Sequence, residues 1–87
     1  MDTLILQTPE QLTAHLKALR GQRHVTQAQI AKRLGIKQAR YAAIEAHPEL
    51  VSAGQLLDVL AILGVDVLLR PRAPTDRDAA SRSREDW

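Results

Sequence analysis

A chain of 87 residues suffices for one small domain, whose core is too small for much independent stability, so association with a second copy is a natural supplement. It contains no cysteine, which excludes disulfides, thiolate metal sites and cysteine nucleophiles. The net charge is only +2, and no apolar run is long enough for a membrane span or a secretory signal, so we expect a soluble, cytoplasmic protein.

The first predicted helix begins in the segment TPEQ at positions 8–11. A threonine that can cap the helix, a proline at the first helical position and a glutamine at the third form a capping box. We expect this helix to run to about Arg20 or Arg23, with Gly21 permitting the turn toward Val25. Its predicted core residues are Leu12, Leu16 and Leu19.

The segment TQAQIAKRLGIKQARYAAIE, positions 26–45, predicts a helix-turn-helix unit. Thr26 and Gln29 form a second capping box, so the first helix of the unit starts near Gln27. The small Ala31 allows the second helix of the unit to cross closely. Gly35 is suited to the left-handed backbone conformation that ends the first helix of the unit. The predicted buried stripe consists of Ile30, Ala31 and Leu34.

The second helix of the unit is predicted to present polar residues at its exposed start. Gln can read adenine, Arg can read guanine, Ala can touch a thymine methyl, and Lys serves phosphate or guanine, so such a helix can read bases in a major groove. Positions 17–40 also hold seven Lys or Arg and no Asp or Glu. The exposed residues are Lys37, Gln38, Ala39 and Arg40, and the inward ones are Ile36, Tyr41 and Ile44.

The rest of the chain predicts a further helix and a strand. Proline in the segment 47–51 prevents the preceding helix from continuing, and Ser52 with Gln55 forms a third capping box. The helix that follows is apolar around much of its circumference and closes at Gly64. Such a helix must bury more than one face, which suggests both the domain core and a partner subunit.

The run VDVLLR at 65–70, ended by Pro71, is typical of a β-strand. A lone strand leaves its backbone unpaired, so we expect it to pair with residues 4–6, with the same strand of a second copy, or with both. A small sheet across a two-fold dimer is the arrangement we expect. The predicted dimerisation residues are Val65, Val67, Leu68 and Leu69.

Composition changes at the end of this strand. The segment APTDRDAASRSRED, 73–86, contains no Leu, Ile or Val and is predicted to be disordered, yet it is followed by the single tryptophan, Trp87. We therefore expect a DNA-binding and dimerisation domain over 1–72 and a disordered tail over 73–87. Trp87 is either an incidental residue or an anchor on a partner protein.

These motifs together resemble the Cro and cI-like helix-turn-helix family, and within it the HipB-type antitoxins. The resemblance spans about Leu4 to Arg70, through T-P-x-Q-L, T-Q-x-x-I-A-K-x-L-G-I-K-Q-A, the I-E that follows and the terminal strand. It implies a mostly α, four- to five-helix, lambda-repressor-like domain with a short terminal β-strand in a small intersubunit sheet. The chain departs from the family pattern at Arg40, where a small hydroxylated residue is frequent, and at Tyr41, which replaces an aliphatic core residue.

The resemblance also implies a function: a homodimeric repressor on palindromic operators, acting as the antitoxin of a toxin–antitoxin module that neutralises a HipA-like serine/threonine kinase toxin. Such a protein needs no cofactor and is associated with the nucleoid. The resemblance implies that Gln27 contacts phosphate and that Lys37, Gln38, Ala39 and Arg40 face the groove. We add Arg23, Thr26 and Lys32 to the expected DNA-binding residues.

Two other functions stay open. A stand-alone Cro/cI-type or restriction-controller regulator uses the same motif without a toxin, and a protein-interaction adaptor uses the same helices without DNA. We expect no enzyme and no metal site, because His15, His24 and His47 lack the spacing of helix-borne ligands and no phosphate loop or nucleophile motif occurs.

Overall fold

The computed structural model describes residues 3–73 of the chain. Helix α1 spans Pro9–Gln22, α2 spans Gln27–Leu34, α3 spans Gln38–Ala46 and α4 spans Ala53–Ile62, with a 3-10 turn at Pro48–Leu50 between the last two. Over this part of the chain the protein is a mostly α, four-helix helix-turn-helix domain. None of these helices is long and apolar enough to cross a membrane.

Local capping explains where the first two helices begin. The backbone N–H of Gln11 donates to the Thr8 hydroxyl at 3.1 Å, and the N–H of Gln29 donates to the Thr26 hydroxyl at 3.1 Å. Both glutamines also accept from the N-cap backbone, so both predicted capping boxes are confirmed. At α4 the Ser52 hydroxyl accepts from the N–H of Gln55, but the reciprocal bond of a capping box is not formed.

The core joins one face of each helix. The small Ala31 of α2 is buried in this core, and Leu12 and Leu19 pack on the core while remaining partly accessible. Full burial of a medium-sized apolar side chain stabilises the fold by about 1.5–3 kcal/mol, so the fully buried side chains carry most of the packing energy. The buried apolar side chains are Leu16, Ile30, Ala31, Tyr41, Ile44, Val59 and Leu63.

The turn after α1 differs from the prediction. Gly21 lies inside the helix, which continues to Gln22, and the left-handed residue of the turn is His24, with φ of 54°. The prediction that Gly21 permits the turn is therefore wrong. Histidine tolerates this conformation better than most residues with a side chain, and the N–H of Val25 closes the turn onto the carbonyl of Arg20 at 3.1 Å.

No β-strand forms within residues 3–73, so the predicted terminal strand is not seen in the single chain. Residues 65–70 follow α4 without a backbone ladder, and residues 4–6 do not pair with them. A strand is defined by hydrogen bonds to a second strand, and a segment that takes its partner from another copy has none within one protomer. The intersubunit sheet therefore remains a prediction.

The C-terminal segment is the most exposed apolar part of the described chain. Val65 packs on the core, whereas Val67, Leu68 and Leu69 are 49%, 87% and 92% exposed. Leu57 of α4 is also exposed. The tail predicted over 73–87 and its Trp87 fall outside the described residues, except for Ala73.

Candidate nucleic-acid interface

The turn between α2 and α3 is closed by Gly35. Its φ is 72°, the left-handed conformation that glycine adopts without a Cβ penalty, as the sequence predicted. The N–H of Ile36 donates to the carbonyl of Ala31 at 3.0 Å, and the N–H of Gly35 donates to that of Lys32 at 3.2 Å. These bonds end α2 and direct the chain into α3 within three residues.

The start of α3 is open to solvent. Lys37, Gln38, Ala39 and Arg40 are all exposed, as predicted. Lys37 is the N-cap residue and makes no side-chain cap, so the first backbone N–H groups of α3 have no side-chain acceptor. An uncapped helix N-terminus beside basic side chains attracts phosphate, and the side chains of its first turn are within reach of base edges.

The far end of α3 is anchored by a buried carboxylate. Glu45 is 1% exposed and accepts two hydrogen bonds from Arg20 of α1, at 3.0 Å to each carboxylate oxygen. Gln27 at the start of α2 adds a third bond, from its Nε2 to Glu45 Oε1 at 3.2 Å. This cluster connects α1, α2 and α3, and so restrains the orientation of α3 relative to the other two helices.

The same cluster perturbs two acid–base equilibria. Burial by itself raises the pKa of Glu45, but the hydrogen bonds from Arg20 and Gln27 outweigh it and bring that pKa below the ordinary value of 4.5. Burial, and then the negative charge of Glu45, raises the pKa of the neighbouring Tyr41 hydroxyl well above its ordinary range. Glu45 is therefore ionised and Tyr41 neutral at physiological pH.

The charge on the surface of the unit follows from this burial. Glu45 is the only acidic residue from Gln27 to Ala46, and it is buried and paired. The exposed charges of the helix-turn-helix unit are therefore all positive. They belong to Lys32, Arg33, Lys37 and Arg40.

The predicted DNA-binding residues differ in whether their polar groups are already hydrogen-bonded within the domain. The Thr26 hydroxyl is occupied by its capping bond, and the Gln27 amide by Glu45, while Lys32 is exposed on α2. Arg23 is the C-cap residue of α1, and its side chain reaches the turn after α4, where its Nη2 donates to the carbonyl of Gly64 at 3.3 Å. Arg20, part of the basic run in the sequence, is committed to Glu45, and nothing local in the sequence signals that pairing across 25 positions.

Arg40 and Gln55 connect α3 to α4. Arg40 Nη2 donates to Gln55 Oε1 at 3.3 Å, so the guanidinium at the exposed start of α3 has a hydrogen-bond partner within the domain. Sequence reasoning missed Gln55 as part of this site, because its spacing from Ser52 indicated a local cap instead.

Comparison with known proteins identifies the family. The profile of the family described as "Helix-turn-helix domain" matches residues 11–73. Antitoxin HipB from Escherichia coli O6:H1 strain CFT073 is 30% identical over 80 residues, which cover 92% of this chain and 85% of that protein. The chain belongs to the HipB-type helix-turn-helix family. The resemblance inferred from the sequence motifs is thereby confirmed.

Solved HipB structures share the fold of this family member. HipB in a HipB–O1–O2 complex superposes with a TM-score of 0.71 at 29% identity, over 79% of this chain and all of that one. A chain of a HipA–HipB–O2–O3 complex gives a TM-score of 0.72 at 28% identity, over 82% of this chain and all of that one. The described residues therefore carry the DNA-binding antitoxin fold of HipB.

Proposed function

We propose that the protein is a homodimeric transcriptional repressor that reads operator DNA through the first turn of α3 and acts as the antitoxin of a HipA-like kinase toxin. The observation that carries the proposal is the exposed, uncapped start of α3 on a unit whose only carboxylate is buried. Complexes of the related HipB with O1 and O2 support operator DNA as the ligand, and a complex with HipA supports a toxin of that kind as the partner.

Each proposed DNA contact has a role that its position supports. Gln38 and Arg40 are the base-reading side chains, and Ala39 is small enough to admit a thymine methyl. Lys32 and Lys37 neutralise phosphates on either side of the turn. Thr26 and Gln27 act through the N-terminus of α2, because their side chains are already bonded within the domain. Arg23, at the end of α1, contacts a phosphate of the DNA backbone farther from the turn.

The proposal predicts base-specific losses. Gln38→Ala and Arg40→Ala should each weaken operator binding by about 1–3 kcal/mol and relax base preference at one position per half-site. Operators are obtained by selection from a randomised duplex pool with the full-length protein, and affinities are then measured by fluorescence anisotropy on single-base variants. An equal loss of affinity on every DNA sequence would show that these residues contact phosphates and not bases.

Two further variants serve as references in the same titrations. Lys32→Ala should weaken specific and non-specific binding alike and reduce the slope of log K against log salt by about one unit. Gln22→Ala removes an exposed glutamine at the end of α1 and should leave both affinity and base preference unchanged. A Gln22→Ala loss equal to that of Gln38→Ala would contradict the assignment of α3 as the reading helix.

Trp87 is the residue that we propose as an anchor on the toxin. Trp87 is the only tryptophan of the sequence and follows a segment without Leu, Ile or Val, and a single aromatic anchor can supply much of the energy of a small interface. Deletion of residues 73–87 should therefore leave dimerisation and operator affinity nearly intact but weaken binding to the HipA-like toxin at least tenfold.

The comparison is calorimetry of the full chain and of a version ending at Arg72, each titrated with a kinase-like protein if one is encoded beside its gene. The point variant Trp87→Ala separates the anchor from the rest of the segment. If both shortened and full chains bind and inhibit the toxin equally, Trp87 is not a functional residue. If no kinase-like neighbour binds at all, the protein is a stand-alone regulator.

A further inference from the structure

Glutamine occupies the third position of three helices in this domain. In α1 and α2 its side chain folds back onto its own helix, where Gln11 Oε1 accepts from the N–H of Thr8 at 3.1 Å and Gln29 Oε1 from that of Thr26 at 2.8 Å. In α4 the same residue type follows a serine N-cap at the same spacing. There Gln55 Oε1 accepts from the guanidinium of Arg40 instead.

The contact crosses between two helices at the point where α3 is exposed. Arg40 is the third residue of α3, and Gln55 is the third residue of α4, so each lies in the first turn of its helix. Arg40 is exposed, whereas Gln55 is partly buried and held at its backbone by the Ser52 hydroxyl at 3.1 Å. The better-fixed member of the pair is therefore the glutamine, which belongs to the scaffold.

We propose that Gln55 is a specificity-determining positioning residue: by accepting one hydrogen bond from Arg40, it fixes the direction in which that guanidinium enters the operator groove. This inference rests on the proposed function, because it needs α3 to read DNA. A guanidinium has five N–H donors in a rigid fork, so one bond to Gln55 leaves donors for the two acceptors of a guanine edge.

The physical effect of such a contact is preorganisation. A free arginine side chain loses rotamer freedom when it binds, and it can reach phosphates and several bases from one backbone position. A tether at one guanidinium nitrogen restricts the chain before DNA arrives and favours a single base pair over its neighbours. Gln55 thus influences base choice without touching DNA.

The test is a discrimination profile measured on every single-base variant of the selected operator. Gln55→Ala should reduce affinity about three- to tenfold and flatten discrimination at the one base pair that Arg40→Ala also flattens. In the double variant the two losses should not add, because both act on one contact. Gln55→Glu keeps an acceptor for Arg40 and should restore discrimination at that base pair, although its negative charge lowers overall affinity.

Gln11→Ala is the matched control, since it removes a third-position glutamine whose side chain bonds only its own helix terminus. It should lower thermal stability about as much as Gln55→Ala does and leave base discrimination unchanged. If Gln55→Ala discriminates among bases as strongly as the parent protein does, the inference is overturned. The proposal that Arg40 reads DNA would be unaffected by that result. A randomised pool from which the parent protein selects no sequence would instead overturn the proposed function and, with it, this role of Gln55.

Discussion

Arg20→Ala should destabilise the domain by about 3–5 kcal/mol at neutral pH, most of the stability of a chain this small. The substitution leaves the Glu45 carboxylate, 1% exposed, with Gln27 as its remaining hydrogen-bond partner from the cluster. Glu45→Gln should cost less, because the stranded Arg20 side chain is 24% exposed and can reach water. Urea unfolding followed by circular dichroism measures both differences.

The pH dependence provides a second check on the same ion pair. Because the pKa of Glu45 is lowered in the folded state, the pair stabilises the parent protein above the ordinary carboxyl value of 4.5, and this contribution is lost as pH falls toward the folded pKa. In Arg20→Ala, burial dominates and raises the pKa of Glu45, so protonation relieves the penalty. The stability difference between the two proteins should therefore shrink in acid.

Lys17→Ala is the control for these measurements, since it removes an exposed charge from the same helix and should change stability by no more than about 0.5 kcal/mol. An Arg20→Ala effect as small as that of Lys17→Ala would show that the ion pair adds nothing to stability. A stability difference that stays constant from neutral to acidic pH would show that Glu45 is not the group responsible.

Val67→Pro should yield a folded monomer whose operator affinity is reduced about a hundredfold or more. Residue 67 donates no backbone hydrogen bond within the described chain, and its side chain is half exposed, so proline there removes nothing that the single domain needs. In an intersubunit ladder, by contrast, it removes a donor and breaks the pairing of the strand. DNA binding falls with the dimer because two reading helices add their contacts.

Analytical ultracentrifugation and anisotropy on the same samples test this prediction. Val67→Ala keeps the backbone donor while it trims the side chain, and should remain dimeric with a modest loss. A Val67→Pro dimer with full operator affinity would show that residues 65–70 do not form the intersubunit sheet. An unfolded Val67→Pro variant would show that the single domain does depend on residue 67.

Features that depend on contacts between near neighbours were predictable from the sequence. Helix starts at Thr8, Thr26 and Ser52 and the turn at Gly35 were predictable, because caps and left-handed turns are formed by residues within about four positions of one another. The exposure of residues 37–40 followed from helical periodicity. These local signals were also enough to predict the family.

The packing of the helices determines which polar side chains bind within the domain and which remain open to a ligand. Arg20 belongs to the basic run in the sequence but pairs with Glu45, and Gln55 carries the spacing of a capping box but binds Arg40. His24 rather than Gly21 takes the left-handed turn. Each outcome depends on the angle and distance between packed helices. The residues next to a side chain in the sequence do not indicate which distant partner this packing brings within hydrogen-bond distance, about 3 Å.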